Sequence, residues 1–319
     1  MGALITIFVP GFDVAAYAGE ALASLRAQTL VDWEAVLVDD ASTDETGAIF
    51  ESAAAEDARF RVVRHDRRRG LGAARNTGLA EVSTPFLGFL DADDVLQPDA
   101  LRLLTRELDA SGSDFVAGAY VRLRPTEDGR YDPGEIQPWV TAATVPARRG
   151  VTIDEHPEAS GNIVAWSKVS RTAFWQQAGL RFPEGRLYED QIIAQQMYAR
   201  ARRFDVIPDV VVHWRERADG SSITQREAQL DVLRDCLDAM AAGLAVLDGT
   251  GHPAAATARV GQVLRMDVPR LAKIAADHPD AEYRRVLGAF TRSLHDRADS
   301  ARANVPPTIA TLLGAVQLW

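Results

Sequence analysis

TPFLGFLDADDVL, residues 84–96, reads as a β-strand that runs directly into three carboxylates, Asp91, Asp93 and Asp94. Upstream of it, GLGAARNTGLAEV (70–82) has the form of a helix opened by glycine, and FRVVRHD (60–66) that of another strand. Further back, STDETGAIFESAAAED (42–57) begins with Ser/Thr/Asp capping chemistry and continues as a helix, preceded by the strand EAVLVDD (34–40). The alanine-rich stretch 17–28 predicts the first helix, with Asp13 as its N-cap. LITIFVP (4–10), β-branched and closed by Pro and Gly, predicts the first strand. Four strands alternating with three helices predict an α/β fold with a doubly wound, mostly parallel, Rossmann-like sheet and right-handed crossovers. In open sheets of this kind ligands bind beyond the carboxyl ends of the strands. Phe12 and Asp13, Asp39 and Asp40, and Asp91, Asp93 and Asp94 all fall there, so separate stretches converge on one edge.

Beyond residue 114 the pattern loosens. Residues 114–151 include a Pro/Gly-rich run and read as a long loop or β-excursion over the site. Residues 162–179 suggest a strand or turn followed by a helix, LYEDQIIAQQMYARAR (187–202) a helix with an acidic pair in its first turn, and VIPDVVVHWRER (206–217) a strand. After Ser222, leucines at 230, 233, 237, 244 and 247 with Met240 mark an amphipathic helix at three- and four-residue spacing. The expected division is an α/β domain over 1–224 and a helical region over 225–319. The leucine stripe serves either a core or a subunit interface, and its regularity favours a homo-oligomer.

The 319 residues carry 35 basic and 45 acidic side chains, a net charge of −10, with 47% hydrophobic residues. That is enough apolar material for a sizeable core, and the net acidity argues against a nucleic-acid-binding surface. The single Cys236 cannot form an internal disulfide, and no signal peptide or membrane-spanning run is evident, so the cytoplasm is the expected compartment. Only Lys168 and Lys273 are lysine, leaving 33 arginines.

Six segments in order, ITIFVPGFD, LVDDASTDET, GLGAARNTGL, FLDADD, FPEGRLYED and HWRERADGSSIT, resemble the GT-A-fold glycosyltransferases of family 2, in particular those acting on bacterial cell-surface glycopolymers and wall teichoic acid. The resemblance covers residues 4–224. It implies an inverting transfer of a sugar from a nucleotide diphosphate, a UDP-sugar, to a hydroxyl of a glycan, glycopolymer or lipid-linked acceptor, with Mn²⁺ or Mg²⁺ as cofactor. A peripheral place at the inner membrane face would follow from a lipid-linked acceptor.

The same resemblance assigns residues. In FLDADD, Asp93 would hold the metal and Asp91 would approach the ribose or metal, because hard carboxylate oxygens suit such cations. Asp40 would bond the uracil or ribose, with Pro10 and Phe12 flanking the base; Phe12 keeps the stacking face of the family's tyrosine and lacks its hydroxyl. Arg75, with Asn76 beside it, would meet phosphate or base, as would one of Arg67, Arg68 and Arg69 in the basic run. Asp190 is placed as the general base, since an inverting transfer needs one carboxylate to deprotonate the acceptor, with Glu189 binding acceptor or orienting the base. His213 would serve as a further metal ligand or a neighbour of the diphosphate, Arg215 and Ser222 would close over the phosphates, and Trp166 would stand near the acceptor or in the core. Asp44 reads as a helix cap.

Three alternatives are weighed. A processive synthase would carry a Gln-x-x-Arg-Trp motif, and no tryptophan here follows an arginine. A sugar-phosphate nucleotidylyltransferase would have a glycine-rich start with a downstream lysine, where this chain reads VPGFDVAAY. A catalytically silent nucleotide-sugar-binding scaffold would not be expected to keep both FLDADD and YED.

Overall fold

The computed structural model describes residues 2–294, 297 and 305–319. The strands are β1 (Ile5–Gly11), β2 (Trp33–Asp39), β3 (Phe60–Arg64), β4 (Phe86–Phe89), β5 (Val95–Leu96), β6 (Phe115–Pro125), β7 (Tyr131–Ile136), β8 (Arg148–Val151), β9 (Lys168–Arg171) and β10 (Phe204–Arg215). Between and after them lie the helices α1 (Ala15–Arg26), α2 (Thr46–Glu56), α3 (Leu71–Leu79), α4 (Ala100–Ser111), α5 (Pro138–Thr144), α6 (Thr172–Gln177), α7 (Asp190–Arg200), α8 (Leu230–Gly249), α9 (Pro253–Gln262), α10 (Val268–Asp277), α11 (Ala281–Ser293) and α12 (Pro307–Val316).

β1 is a continuous apolar run because it is covered on both faces, as parallel central strands require. The sheet order is β3-β2-β1-β4-β9-β6-β10-β5, with β7 on β6 and β8 on β10. β1 pairs in parallel with β2 and β4, and β2 with β3. β9 then enters antiparallel to both β4 and β6, so β6 and its parallel partner β10 regain the direction of the first four strands. The carboxyl ends of β1, β2, β4, β6 and β10 and the start of β9 therefore share one edge, and that edge positions the site.

One expectation is narrowed and two change. Of the loop or β-excursion read over 114–151, the second is found: β6 is a long, largely buried strand, and the hairpin arm β7, largely open to solvent, leads on to α5 and β8. The strand read over 84–96 is two, β4 and a short β5 that pairs antiparallel with β10, because the aspartates break it. Asp13 does not cap α1. It stands at φ 48° with its carboxylate accepting from the Thr43 N–H (2.8 Å), while Val14 takes the N-cap position. The first N–H groups of α1 are met from the next loop, Val14 by Thr46 Oγ1 (2.8 Å) and Ala15 by Asp44 Oδ2 (2.9 Å). Asp44 also accepts the Thr46 N–H (2.9 Å), so one carboxylate serves the starts of two helices.

The main core joins both sheet faces to the helices, with Phe89 in ring contact with Phe8, Trp175 and Phe182, and Trp175 with Phe182, at 5.2–5.8 Å. A second core gathers Leu233, Leu237, Met240 and Leu244 of α8 with Val260, Leu271, Tyr283, Leu287 and Val316. Leu247 belongs to the main core, as do Ala255 and Ala256 of α9. The leucine stripe is thus largely buried within the chain, with Leu230 partly covered, so it packs on the chain's own cores.

Candidate active site

α3 brings a cation under the sheet edge. Gly70, at φ 90°, turns the chain into this helix, and Gly72 lets it lie against the loop between α6 and α7: a Cβ there would stand 2.1 Å from the Pro183 carbonyl oxygen. Gly78 likewise rests on the Phe8 ring. Arg75, one turn along, is 1% exposed, with its guanidinium over the rings of Phe182 (5.1 Å) and Phe89 (6.0 Å).

Three carboxylates close on it. Arg75 Nη2 donates to Asp91 Oδ1 (2.7 Å) at the end of β4, and Nη1 donates to Glu189 Oε1 (2.5 Å) and to Asp190 Oδ1. Asp190 opens α7 and Glu189 precedes it in the N-cap position. Tyr188 turns them inward from a left-handed backbone (φ 58°), a conformation non-glycine residues adopt at a cost. Asp190 Oδ2 also accepts the Ala165 N–H (3.0 Å), just before β9. The side chain of Asp190 is 17% exposed and that of Glu189 3%, so Asp190 is the more accessible of the two.

One guanidinium against three carboxylates leaves an excess of negative charge. Burial pushes Glu189 up to about 8; the nearby Asp190 and Asp91 charges add to this and Arg75 opposes it. Asp91 is pushed up to about 6, by burial first, against Arg75, with Asp190 and Asp93 contributing. Burial works to lower the Arg75 pKa, but Asp190, Asp91 and Glu189 outweigh it and hold that pKa above the ordinary arginine value. Asp94 is held well above the carboxylate range by burial and then by Asp93 and Asp91. Its Oδ1 accepts the Arg215 N–H (2.8 Å) and its Oδ2 is buried without a partner.

Asp93 faces the end of β10. Its Oδ2 accepts from Arg217 Nε (2.7 Å), and its carbonyl oxygen accepts from Arg215 Nε (2.7 Å). Arg215 further donates to Glu20 Oε2 (2.5 Å) and lies over the Tyr131 ring (4.3 Å). His213, two residues earlier, is half-buried, and burial lowers its pKa against the Glu20 charge. Among the described residues no group of three or more His, Cys, Asp or Glu side chains converges as a metal cage, so His213 is not gathered with Asp91 and Asp93 into one. The Ser222 N–H bonds Gln225 Oε1 (3.2 Å) in the turn after β10.

The third cluster lies beyond β1 and β2. Asp40, 3% exposed, accepts from the N–H groups of Arg69 (2.8 Å) and Gly70 (2.7 Å) and bonds His65 Nδ1 (2.6 Å), so it fixes the entry to α3. Asp39 accepts the Ser42 N–H (2.9 Å). Pro10 is buried in β1, in register with Val38. The Phe12 ring carries the Arg68 guanidinium at 4.0 Å, Arg67 is exposed, and the Arg69 side chain reaches Glu184 at 3.6 Å.

Arg75, Asp91, Glu189 and Asp190 are thus brought together, as are Asp93, Asp94 and Arg215. Arg75 lies beneath the carboxylates as their shared counter-ion, away from the surface where it was expected to meet phosphate or base. Asn76 is likewise structural in its contacts, bonding the Phe182 carbonyl (2.9 Å) and the Phe182 N–H (3.0 Å). Trp166 is buried between Tyr120 and Trp214. Sequence reading missed Arg217, His65 and the Ala165 N–H. Arg217 and His65 stand at strand ends beside predicted site residues, and that position is a readable signal; a backbone N–H carries none.

A mostly parallel α/β sheet with this aspartate-lined carboxyl edge defines a protein of the GT-A type. The Glycosyl transferase family 2 model matches residues 6–209, and the chain belongs to that family. It is 30% identical over 221 residues to EpsJ of Bacillus subtilis, an uncharacterized glycosyltransferase, covering 67% of this chain and 61% of EpsJ. It is 28% identical over 251 residues to the glycosyltransferase GlyA of Streptococcus pneumoniae, covering 78% of this chain and only 35% of GlyA. The fold is similar to that of S. aureus TarS 1-349 in complex with UDP-GlcNAc, with a TM-score of 0.74 at 22% identity over 100% of this chain and 88% of that one. It is also similar to the mannosyltransferase PcManGT from Pyrobaculum calidifontis in complex with GDP-Man and Mn²⁺, at 0.56 and 18% over 100% and 87%. Among the described residues no helix is long and apolar enough to cross a membrane.

Proposed function

We propose that this chain is an inverting glycosyltransferase that moves a sugar from a nucleotide-diphosphate donor, a UDP-sugar, to a hydroxyl of a glycan, glycopolymer or lipid-linked acceptor. The observation that carries the reading is the convergence of Asp91, Glu189 and Asp190 on Arg75 at the carboxyl edge of the sheet, with Asp190 the more accessible of the pair on α7. Asp190 takes the acceptor hydroxyl proton as that oxygen bonds the anomeric carbon, and the bond to the diphosphate breaks with its electron pair leaving on the phosphate oxygen. Arg75 and the Ala165 N–H hold the Asp190 carboxylate in one orientation for that transfer.

The residues fit a divalent cation. The unpartnered buried Asp94 Oδ2 and the mutual repulsion of Asp91, Asp93 and Asp94 mark a local deficit of positive charge. Mg²⁺ and Mn²⁺ commonly take one or two carboxylates and complete their shell with phosphate and water. Asp93 would hold the ion, with Asp91 beside it in the same turn. When bound it would offset charge on the departing diphosphate. Residues 1–224 form the catalytic part in this reading and 225–319 help to position the acceptor; a lipid-linked acceptor would bring a cytoplasmic enzyme to the inner membrane face.

Calorimetric titration of UDP, GDP, TDP and CMP, with Mn²⁺ and then with EDTA, tests it. UDP binding that EDTA abolishes is expected. Absence of binding by any nucleotide would overturn the reading.

A further inference from the structure

Lys168 is one of two lysines in a chain that otherwise carries its positive charge on 33 arginines, and it is 3% exposed. At the start of β9 its ammonium donates to the Asn162 carbonyl (2.8 Å), Asn162 Oδ1 (3.0 Å) and the Val164 carbonyl (2.6 Å). Three oxygens around one nitrogen use all three donors of an ammonium. A guanidinium spreads its donors over a flat fork and cannot converge on them, which explains why this position departs from the arginine habit of the chain. An apolar side chain would take the ammonium from the Val164 carbonyl and leave Asn162 Oδ1 with Ser167 Oγ (3.1 Å) and the Asn162 carbonyl with the long Tyr198 hydroxyl contact (3.4 Å).

The segment so tied, 162–165, is the one that presents the Ala165 N–H to Asp190 Oδ2. The Lys168 N–H closes on the Ala165 carbonyl (3.1 Å), and Ser167 Oγ donates to Asn162 Oδ1 (3.1 Å), so Ala165 is gripped from both sides. Tyr198 of α7 lies against the same ammonium, its ring centre 5.6 Å away. Burial pushes Lys168 down to about 7, and the Asp190 charge acts against that shift, so the two groups sense one another.

We propose that Lys168 is a positioning residue for the transfer: it fixes 162–165 so that the Ala165 N–H holds the Asp190 carboxylate in the direction the reaction needs. The proposal rests on Asp190 being the base.

The test uses the full chain with Lys168→Met, Lys168→Arg and Asn162→Ala. Hydrogen exchange of the peptide spanning 162–168 is followed by mass spectrometry, and UDP release is measured from whichever of UDP-GlcNAc, UDP-glucose or UDP-galactose the wild type consumes. In Lys168→Met, exchange across 162–168 should quicken and kcat should fall about tenfold or more, with the donor KM held within about twofold. Lys168→Arg should not restore kcat. If Lys168→Met fails to fold, Asn162→Ala, which removes one acceptor, should show the same split in milder form. Wild-type exchange and kcat in the folded variants, a loss confined to KM, or rescue by arginine would each overturn the proposal. A wild type that consumes none of the donors would count against the proposed function instead, and the exchange rates alone would then decide whether Lys168 holds this segment.

Discussion

Replacing Arg75 with methionine keeps much of the side chain's length and removes the charge on which Asp91, Glu189 and Asp190 converge. Glu189 and Arg75 are almost fully enclosed, and the exposed fractions of Asp91 (22%) and Asp190 (17%) are small, so water offers little compensation. Breaking a buried ion pair from one side costs about 3–5 kcal/mol, because the remaining charges stay in place without their partner. The cost should depend on pH, and its sign follows from the shifts. Glu189, near 8 against an ordinary 4.5, and Asp91, near 6 against 3.8, bind protons in the folded protein that the unfolded chain has already released. Stability therefore falls as pH rises from about 4 to 8, and the fall should be steeper once Arg75 no longer opposes these shifts. Urea unfolding followed by tryptophan fluorescence should show Arg75→Met losing about 3–5 kcal/mol at pH 8 and less than half of that at pH 5. An equal loss at both pH values, or a loss under about 1 kcal/mol at pH 8, would refute the view of Arg75 as a buried counter-ion.

Other substitutions separate the remaining roles. Asp190→Asn should bind UDP as the wild type does and lose turnover by about 10²–10⁴-fold in a donor-consumption assay, since an amide keeps the shape but cannot take the proton; wild-type turnover would remove Asp190 as base. Asp93→Asn should weaken Mn²⁺-dependent UDP binding in calorimetry, and an unchanged affinity and EDTA response would take Asp93 out of the metal site. Gly72→Ala should destabilise by about 1–3 kcal/mol in urea, because the new Cβ meets the Pro183 backbone; no loss would mean that α3 has room to shift. Asp40→Ala strands the Arg69 and Gly70 N–H groups and His65, and should cost about 1–3 kcal/mol, read from the shift in urea midpoint.

The first four strands and the aspartates at their ends are legible because strand and helix periods alternate cleanly over residues 4–96 and each strand stops at polar residues. The acidic pair at 189–190 is legible by resemblance. What the sequence hides is partnership. Arg75 looks like a surface phosphate ligand until the glycines at 72 and 78 are seen to sink its helix. The Ala165 N–H that holds Asp190 belongs to a residue type with no chemistry of its own. β6 is obscured by the Pro/Gly-rich arm that follows it, although most of the strand is buried in the manner of β1. The leucine stripe of α8 does mark a helix face, but its occupant is the chain itself, in the second core.

The antiparallel entry of β9 between β4 and β6 bears on how the chain is made. Synthesis delivers β1 through β4 first, with one side of β4 left as an open edge whose backbone groups have no strand beside them. That edge is covered only when residues 168–171 emerge, after β6 has itself been waiting for the same strand. A nascent chain halted between these points presents two sticky borders to its neighbours. Cutting or fusing this protein within 90–171 should therefore yield aggregates, whereas a fragment that retains β9 and β10 seals the sheet from both sides.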